Sequence, residues 1–451
     1  MRPVFVNQII EEGKFNKFFR YIFIVCLMTA VADGYDINVF GLVVPALIKD
    51  WHLTPVMTGM LGSIGLTGMI FGSLVLGPIA DKIGKAKALM LATAVYCVFT
   101  IGVGFSQTFT QFATFRFIAG IGLAGAFPVV VAYASEYSPK VIRSRLTVWV
   151  TSGMALGTVV AASIAFKMIP TFGWRGMFFL AVIPLVLIAF QYRLPESMAY
   201  YVDKGQNDKI VKVLQAANPA FIPLKDDSYQ LDKSNKGKVS LVSLFEKGLA
   251  KNTVLFWIMM FFNYIFIYGV LVWLTQLLKL QGWSIGWSLA FTLLWNLGFI
   301  LGIPMCGWLQ DKFGGKLTLS LGYIILAALV LIDSVVCGNK DALTLGVALF
   351  LTGAAQHGLS GVAGSYIAQS YPIAFRGTGT GMGYSLGRIG GAIGPMIGAL
   401  LLTYGFSGSM TLRVFACIPI ISAIVISLST DRTLVKTDTP SSPSNVADIK
   451  A

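Results

Sequence analysis

The sequence contains little charge, few histidines and few cysteines. Only 12% of its 451 residues are Asp, Glu, Lys or Arg, whereas a soluble domain carries about 25%. The two histidines and five cysteines follow no metal-ligand spacing, so we expect neither a metal site nor a disulfide framework. The sequence also has no ATPase, haem or phosphate-loop pattern. We therefore predict that the chain has no cofactor and is not an enzyme.

Apolar residues make up 56% of the chain, and its mean hydropathy is +0.75. The apolar segments are continuous and about 20 residues or longer, the length that a helix needs to cross a bilayer. Continuous segments of this length also argue against a β-barrel, whose strands are short and alternating. The sequence predicts an all-α membrane protein with twelve transmembrane spans. They cover about residues 20–48, 56–80, 88–106, 110–136, 146–168, 174–193, 253–279, 285–310, 316–336, 342–369, 378–404 and 409–429.

The net charge of +14 would favour a nucleic-acid partner in a soluble protein. Here most Lys and Arg fall in the segments on one side of the membrane, as the positive-inside rule requires. We therefore expect both termini in the cytoplasm, the lipid bilayer as a partner and no nucleic-acid partner. The first span is too long and too polar at its centre for a cleavable signal peptide. Six cations are expected near the opposite face: Lys49, Lys167, Arg175, Lys279, Lys340 and Arg413.

The two halves of the chain repeat each other. The loop at 77–85 (GPIADKIGK) recurs 230 residues later at 307–315 (GWLQDKFGG), and residues 139–143 recur at 372–376. Two echoes at nearly one offset predict two pseudo-symmetric six-helix bundles with a ligand site near the midplane between them. The polar segment between them should contain an amphipathic helix near 208–217. We divide the chain into a first bundle at 1–193, a cytoplasmic linker at 194–251, a second bundle at 252–430 and a disordered cytoplasmic tail at 431–451.

Two carboxylates, Asp33 and Asp36, lie near the middle of the first span. An ionised Asp at the centre of a bilayer costs roughly 2.5–3.5 kcal/mol, so such residues usually face a bundle interior or a wet cavity. Gly34 between them allows backbone or ligand to approach closely. Arg116, within the fourth span, is a candidate partner for either acid, and the equally weighted alternative is a role in helix packing beside its neighbouring glycines. We expect Asp33, Asp36 and Arg116 to take part in proton coupling.

Arg388 is a cation within the glycine-rich eleventh span. A guanidinium binds a carboxylate with a bidentate fork, so an Arg in the second half facing acids in the first suits an anionic substrate. The alternative is a permanent salt bridge between Arg388 and Asp36. Further aromatic and polar residues within spans are candidates for a flat binding slot, with ordinary core packing as the alternative for each. These candidates are Tyr35, Asn38, Trp273, Asn296, His357 and Tyr384.

The repeated loops place an acid and an arginine at equivalent points in each half. Asp81 can cap a helix N-terminus and pair with Arg143, and Asp311 can do the same with Arg376. These contacts require the cytoplasmic ends to be close together, so we expect them to form a latch, or cytoplasmic gate. The alternative is a plain turn with topogenic lysines.

The loop at 77–85 resembles the signature loop of the major facilitator superfamily. The stretch Arg116–Gly122 and the tripeptide Pro195–Ser197 are also similar to patterns of that superfamily. Within it, Asp33-Gly34-Tyr35-Asp36 resembles the Asp-Gly-x-Asp motif of the aromatic acid:H+ symporters, and Arg376 and Arg388 fit the same subfamily.

The resemblance implies the major facilitator fold and a place in the bacterial inner membrane. It also implies proton-coupled import of a small aromatic carboxylate, such as benzoate, hydroxybenzoate or protocatechuate, for aromatic compound catabolism. The expected partners are this substrate and the proton, and the expected oligomeric state is a monomer. Alternatives are the same fold importing another organic anion (nicotinate, muconate or a sugar acid), a proton/drug antiporter and a non-transporting sensor. The fifth span lacks the Gly-Pro motif of drug exporters, which disfavours the antiporter.

Overall fold

The computed structural model describes residues 2–224, 226–231, 244–245, 249–372 and 375–430, with the exception of the side chain of Asp81. The predicted disordered tail, 431–451, lies outside the described residues. The elements follow in chain order. They are β1 (Arg2–Phe5), α1 (Val6–Glu12), α2 (Lys17–Trp51), α3 (Pro55–Ile83), α4 (Lys85–Phe105), α5 (Phe109–Glu136), α6 (Arg143–Phe179), α7 (Val182–Gln191), α8 (Met198–Asp203), α9 (Asn207–Ala217), β2 (Asp227–Gln230), α10 (Ala250–Leu280), α11 (Ile285–Leu297), α12 (Phe299–Phe313), α13 (Gly315–Val336), α14 (Ala342–Ser370), α15 (Arg376–Thr403) and α16 (Gly408–Ser427).

Eleven runs of helix among the described residues are long and apolar enough to cross a membrane. One of them, Arg143–Gln191, has 49 residues, and a straight helix of that length would measure about 74 Å. This is more than twice the ~30 Å hydrocarbon core of a bilayer. The run is broken at Gly173, whose φ of 74° is not helical, so it supplies two spans. Because α11 and α12 together form one span, the predicted total of twelve spans is confirmed.

The two halves pack in the same way. In the first half, α2 makes its most extensive contacts with α6, and in the second half α10 does so with α15. These are the first and fifth spans of each half. The equivalence follows from the internal repeat, because similar sequences bury similar faces.

The N-terminal segment and the linker form a small layer at one end of the bundle. β1 pairs in parallel with β2, and Arg2 makes a 3.1 Å ion pair with Asp227. The amphipathic helix expected near 208–217 is present as α9, which buries Ile210 and Leu214. The two-stranded sheet was not expected, because each strand has four residues and its partner lies in a distant part of the sequence. We call this end of the bundle the linker end, and the opposite end the far end.

The halves contact each other towards the far end. A Cβ on Gly41 of α2 would lie 2.0 Å from the carbonyl oxygen of Leu271 of α10, so only glycine permits this approach. Gly59 of α3 lies against Ala399 of α15 in the same way. Lys279 Nζ donates a 3.3 Å hydrogen bond to the carbonyl of Pro45 in the other half. The structure is therefore closed at the far end.

Candidate functional site

The two acids of the first span are positioned by a close contact between α2 and α6. A Cβ on Gly34 would lie 1.9 Å from the carbonyl oxygen of Met154, and one on Gly157 would lie 2.0 Å from that of Val31. Two glycines on facing helices thus bring the backbones together. Gly34 was expected to allow the close approach of backbone or ligand, and in the structure it is the backbone of α6 that approaches it.

Asp36 is held in a buried network within the first half. Its Oδ2 lies 2.8 Å from Arg116 Nη1, and its Oδ1 accepts a 2.8 Å hydrogen bond from Thr100. Arg116 Nη2 also donates to the Asp36 carbonyl at 3.1 Å. Gly65 leaves room for the arginine stem, because a Cβ there would lie 3.1 Å from Arg116 Cγ. The open alternative of a permanent Arg388–Asp36 salt bridge is therefore wrong for this structure, since Arg116 and Thr100 occupy both carboxylate oxygens.

Asp33 is equally buried, with 1% of its surface exposed, but it has a different environment. In the described part of the chain, its Oδ1 has no hydrogen-bond partner. The cation that acts on it electrostatically is Arg388 of the second half, although no ion pair within 4.0 Å joins the two among the described residues. Asp33 therefore has a cation of the other half near it, whereas Asp36, three residues further along the same helix, is paired inside the first half.

Arg388 lies among tyrosines of α10. Tyr264 and Tyr268 pack over Gly387 and Gly391, which flank the arginine on α15. The Tyr264 and Tyr268 rings are 5.7 Å apart. Tyr384 adds a third ring, 6.4 Å from that of Tyr264. These three rings form an aromatic wall along the part of α15 that carries Arg388, and neither glycine could be replaced without moving a ring.

A small cavity of about 20 Å³ lies where the halves meet. Arg116 lines it from the first half, and Tyr268 lines it from the second. A space of this size holds about one water molecule. The Asp36–Arg116 pair and the tyrosine wall are therefore neighbours across the interface.

Other predicted substrate residues lie inside one half. Tyr35 donates a 2.8 Å hydrogen bond to the carbonyl of Met177, and Asn38 donates one of 3.0 Å to that of Thr158. Both partners belong to α6. Tyr35 also lines a crevice within the first half, on the side of α7. The structure does not bring Tyr35 to the Arg388 group.

Of the four candidates in the second half, three pack within that half and one, Tyr384, lies near Arg388. Trp273 is fully buried and donates a 2.8 Å hydrogen bond to the Pro395 carbonyl, so it joins α10 to α15. Asn296 is buried as well and donates to its own helix. The His357 ring lies 5.1 Å from the Trp295 ring. Of these candidates, only Tyr384 is placed in the tyrosine wall.

Sequence reasoning missed several residues of this region. Tyr268 and Thr100 gave no signal beyond being polar groups within spans. Gln356 forms a buried amide cluster with Asn263 and Ser360, at 3.4 Å and 2.9 Å respectively. Outside this region, near the far end of α13, Asp333 is a buried acid that accepts a 2.7 Å hydrogen bond from Thr352. An acid near the end of the apolar ninth span was a signal that could have been found.

The predicted gate residues lie at the linker end. Arg143 makes a 2.9 Å ion pair with Glu11 of the N-terminal segment, while Asp311 and Arg376 are exposed. The side chain of Asp81 lies outside the described residues. In this structure the described gate residues do not pair across the halves.

The tripeptide Pro195–Ser197 fastens the linker to the first half. The Glu196 carboxylate accepts hydrogen bonds of 3.0 and 3.1 Å from the backbone N–H groups of Ala86 and Lys87. A carboxylate at a helix N-terminus satisfies free N–H groups and favours the helix dipole. Lys85 of the same turn pairs with Glu136 at 2.8 Å.

The arrangement defines a class of protein. Twelve spans in two similar halves, with opposite charges on either side of their interface, are the architecture of a secondary transporter. The Major Facilitator Superfamily model matches residues 26–332 and 285–449. The chain therefore belongs to the major facilitator superfamily. Its predicted fold, and the prediction of a multi-pass transporter rather than an enzyme, are confirmed.

Three similar proteins support this assignment. The benzoate transport protein of Acinetobacter baylyi is 31% identical over 98% of this chain and 96% of that protein. The niacin transporter NiaP of the same organism is 30% identical over 86% of this chain and 88% of that protein. The crystal structure of a D-xylose-proton symporter matches with a TM-score of 0.74 and 17% identity, over 93% of this chain and 99% of that one. This last likeness concerns the fold alone.

Proposed function

We propose that the chain is a proton-coupled importer of a small aromatic monocarboxylate in the bacterial inner membrane. The observation that carries the proposal is a buried acid without an ion-pair partner among the described residues, Asp33, near a cation of the other half, Arg388, beside the tyrosine wall. Benzoate and niacin, which name two relatives, each combine one carboxylate with one flat ring. The chain would act as a monomer, since both halves of the site come from one molecule.

The substrate would bind with its carboxylate on Arg388. A guanidinium gives two parallel, charge-assisted hydrogen bonds to a carboxylate. Tyr264, Tyr268 and Tyr384 would then contact the ring by edge-to-face or offset packing, which adds about 0.5–1.5 kcal/mol per aromatic pair.

Asp33 would carry the proton. Its Oδ1 has no partner among the described residues, whereas both oxygens of Asp36 are engaged by Thr100 and Arg116. A proton on Asp33 neutralises it and frees Arg388 for the substrate anion. One proton moving with one monoanion is electroneutral, so the pH gradient would drive uptake with about 1.4 kcal/mol per pH unit.

The linker end would face the cytoplasm. The Lys/Arg distribution supports this orientation through the positive-inside rule, and with it the structure, closed at the far end, is inward-facing. In the outward-facing state, Asp81, Arg143, Asp311 and Arg376 would form the cytoplasmic latch. Glu11 would give up Arg143 when the latch closes.

Proteoliposome uptake of labelled benzoate tests the proposal. With an inward proton gradient of one pH unit, one-to-one coupling should give accumulation approaching about tenfold. Asp33→Asn should lose this accumulation and keep benzoate exchange at equal pH. Asp333→Asn removes a buried acid of the other half and should accumulate benzoate normally. Uptake independent of the proton gradient, or normal accumulation by Asp33→Asn, would contradict the coupling role.

Competition with unlabelled acids separates the substrate classes. Benzoate, hydroxybenzoates, protocatechuate and niacin should compete, while muconate and sugar acids have no aromatic ring and should not. A cationic drug that competes in place of the acids would favour the antiporter alternative.

A further inference from the structure

A crevice of about 660 Å³ opens between the halves at the far end. Side chains from both halves line it, so it sits over the line along which the halves would part. Its charged and aromatic residues include Lys49, Asp50, Trp174 and Arg175 of the first half and Lys279 and Trp283 of the second.

The crevice is positively charged. Asp50 accepts hydrogen bonds from Trp174 Nε1 at 3.0 Å and from Arg175 Nη1 at 3.2 Å, so its charge is compensated. Lys49 is exposed. The Lys279 ammonium has three N–H donors, and one of them bonds to the Pro45 carbonyl. The other two can bond to another acceptor. The cations of the crevice are Lys49, Arg175 and Lys279, and its one carboxylate is Asp50, so its net charge is +2.

Aromatic rings stand beside these cations. The Arg175 guanidinium lies 4.3 Å from the Trp174 ring centroid, and Trp174 packs edge-on against Trp51 at 5.5 Å. From the other half, Trp283 packs edge-on against Phe291 at 4.9 Å. Trp174 is 4% exposed and covered by Arg175, so the groups open to an anion with a flat ring are the ammonium groups and the Trp283 side of the crevice.

Lys49 and Lys279 lie on the side of the membrane where the positive-inside rule predicts few cations. The positive-inside rule disfavours Lys and Arg on the far side of the membrane, so their convergence on one crevice points to a role other than topology. A role in contacting lipid would place them on the outer surface of the bundle rather than between the halves.

We propose that this crevice is an entry site, which collects the aromatic carboxylate at the far end before it reaches Arg388. This inference rests on the proposed function, because it takes the same substrate class and the same direction of transport. A positively charged cleft raises the local concentration of an anion and its rate of association, and salt weakens the effect. The site therefore acts on substrate capture and leaves the later steps unchanged.

The test uses benzoate uptake into right-side-out membrane vesicles, with Lys49→Gln and Lys49→Glu compared with the unmodified chain. We expect KM to rise by about threefold for Lys49→Gln and by about tenfold for Lys49→Glu, with an unchanged maximal rate. The differences should largely disappear at about 0.5 M salt. Lys167→Gln is the matched control, because Lys167 is exposed on the same half but is not among the residues that line the crevice.

Three results would overturn the inference. The first is an unchanged KM in both Lys49 variants when the unmodified chain transports benzoate, which leaves the proposed function intact. The second is an equal effect of Lys167→Gln, which would point to general surface charge. The third is the absence of benzoate uptake by the unmodified chain, which would remove the proposed function and the inference together.

Discussion

In the first half of the molecule, the carboxylate of Asp36 lies between Arg116 and Thr100, and all three groups belong to that half. In the second half, the cation Arg388 has tyrosines around it, and the acid that acts on it comes from the other half. One half thus balances a buried charge internally, while the other depends on the interface. The comparison separates a structural ion pair from a pair of groups that a ligand or a proton can rearrange.

This difference follows from the energetics of buried charge. A buried ion pair with good geometry is costly to break, because removing one partner leaves an uncompensated charge. Asp33 and Arg388 lack such a contact, so a proton on the acid or a carboxylate on the arginine changes their energies with little loss of existing bonds. A transporter that alternates between states needs charged groups at its interface whose balance a ligand or a proton can change, as at Asp33 and Arg388.

The largest expected effect comes from breaking the internal pair. Asp36→Asn leaves Arg116 buried without a counter-charge and should destabilise the protein by about 3–5 kcal/mol, measured by thermal unfolding in detergent. Asp33→Asn is the matched control and should leave stability unchanged or raised, since Asp33 Oδ1 has no partner among the described residues. Equal destabilisation by the two variants would remove the distinction between the halves.

The next effect concerns the cation at the interface. Arg388→Gln removes the charge and the bidentate fork, and should weaken benzoate binding by about 100-fold, or about 2.7 kcal/mol. Arg388→Lys keeps the charge without the fork and should lose part of that affinity. Calorimetric titration of the purified protein measures both. Normal binding by Arg388→Gln would place the substrate elsewhere.

A smaller effect should follow from disturbing the contact between the halves. Gly41→Ala places a methyl group 2.0 Å from the Leu271 carbonyl oxygen, and should cost the state closed at the far end about 1–3 kcal/mol. The balance then shifts towards the state open at that end, which labelling of a cysteine introduced at the far-end interface detects. Gly77→Ala has open space around its added methyl group and should not change labelling.

The smallest effect tests the tyrosine wall. Tyr268→Phe removes a hydroxyl near both Arg388 and Asp33, and we expect KM for benzoate to rise by about 3–10-fold, the worth of one hydrogen bond. Tyr404→Phe changes a tyrosine that is 78% exposed at the far end and serves as the control. If the two variants have the same KM, the Tyr268 hydroxyl does not contact the substrate and Tyr268 only packs against its neighbours.

Much of the fold could be predicted from the sequence, because span length and repeat spacing are local or periodic properties. The twelve spans and the amphipathic helix α9 are of this kind. The small sheet between β1 and β2 was not predictable, since its strands are four residues long and lie far apart in sequence. The sequence also could not predict that Trp273 packs in the core. An indole within a span either packs or lines a cavity, and its neighbours in the fold decide which.

The sequence by itself determined that acids and an arginine of opposite halves lie within the membrane, since no bilayer accepts such groups without partners. It did not determine which acid is paired. Asp33 and Asp36 are three residues apart on one helix, and only the packing of α2 against α5, α6 and α10 brings one to Arg116 and leaves the other near Arg388. That choice belongs to the tertiary structure, because a rotation of about 60° between two side chains decides which helix each one meets.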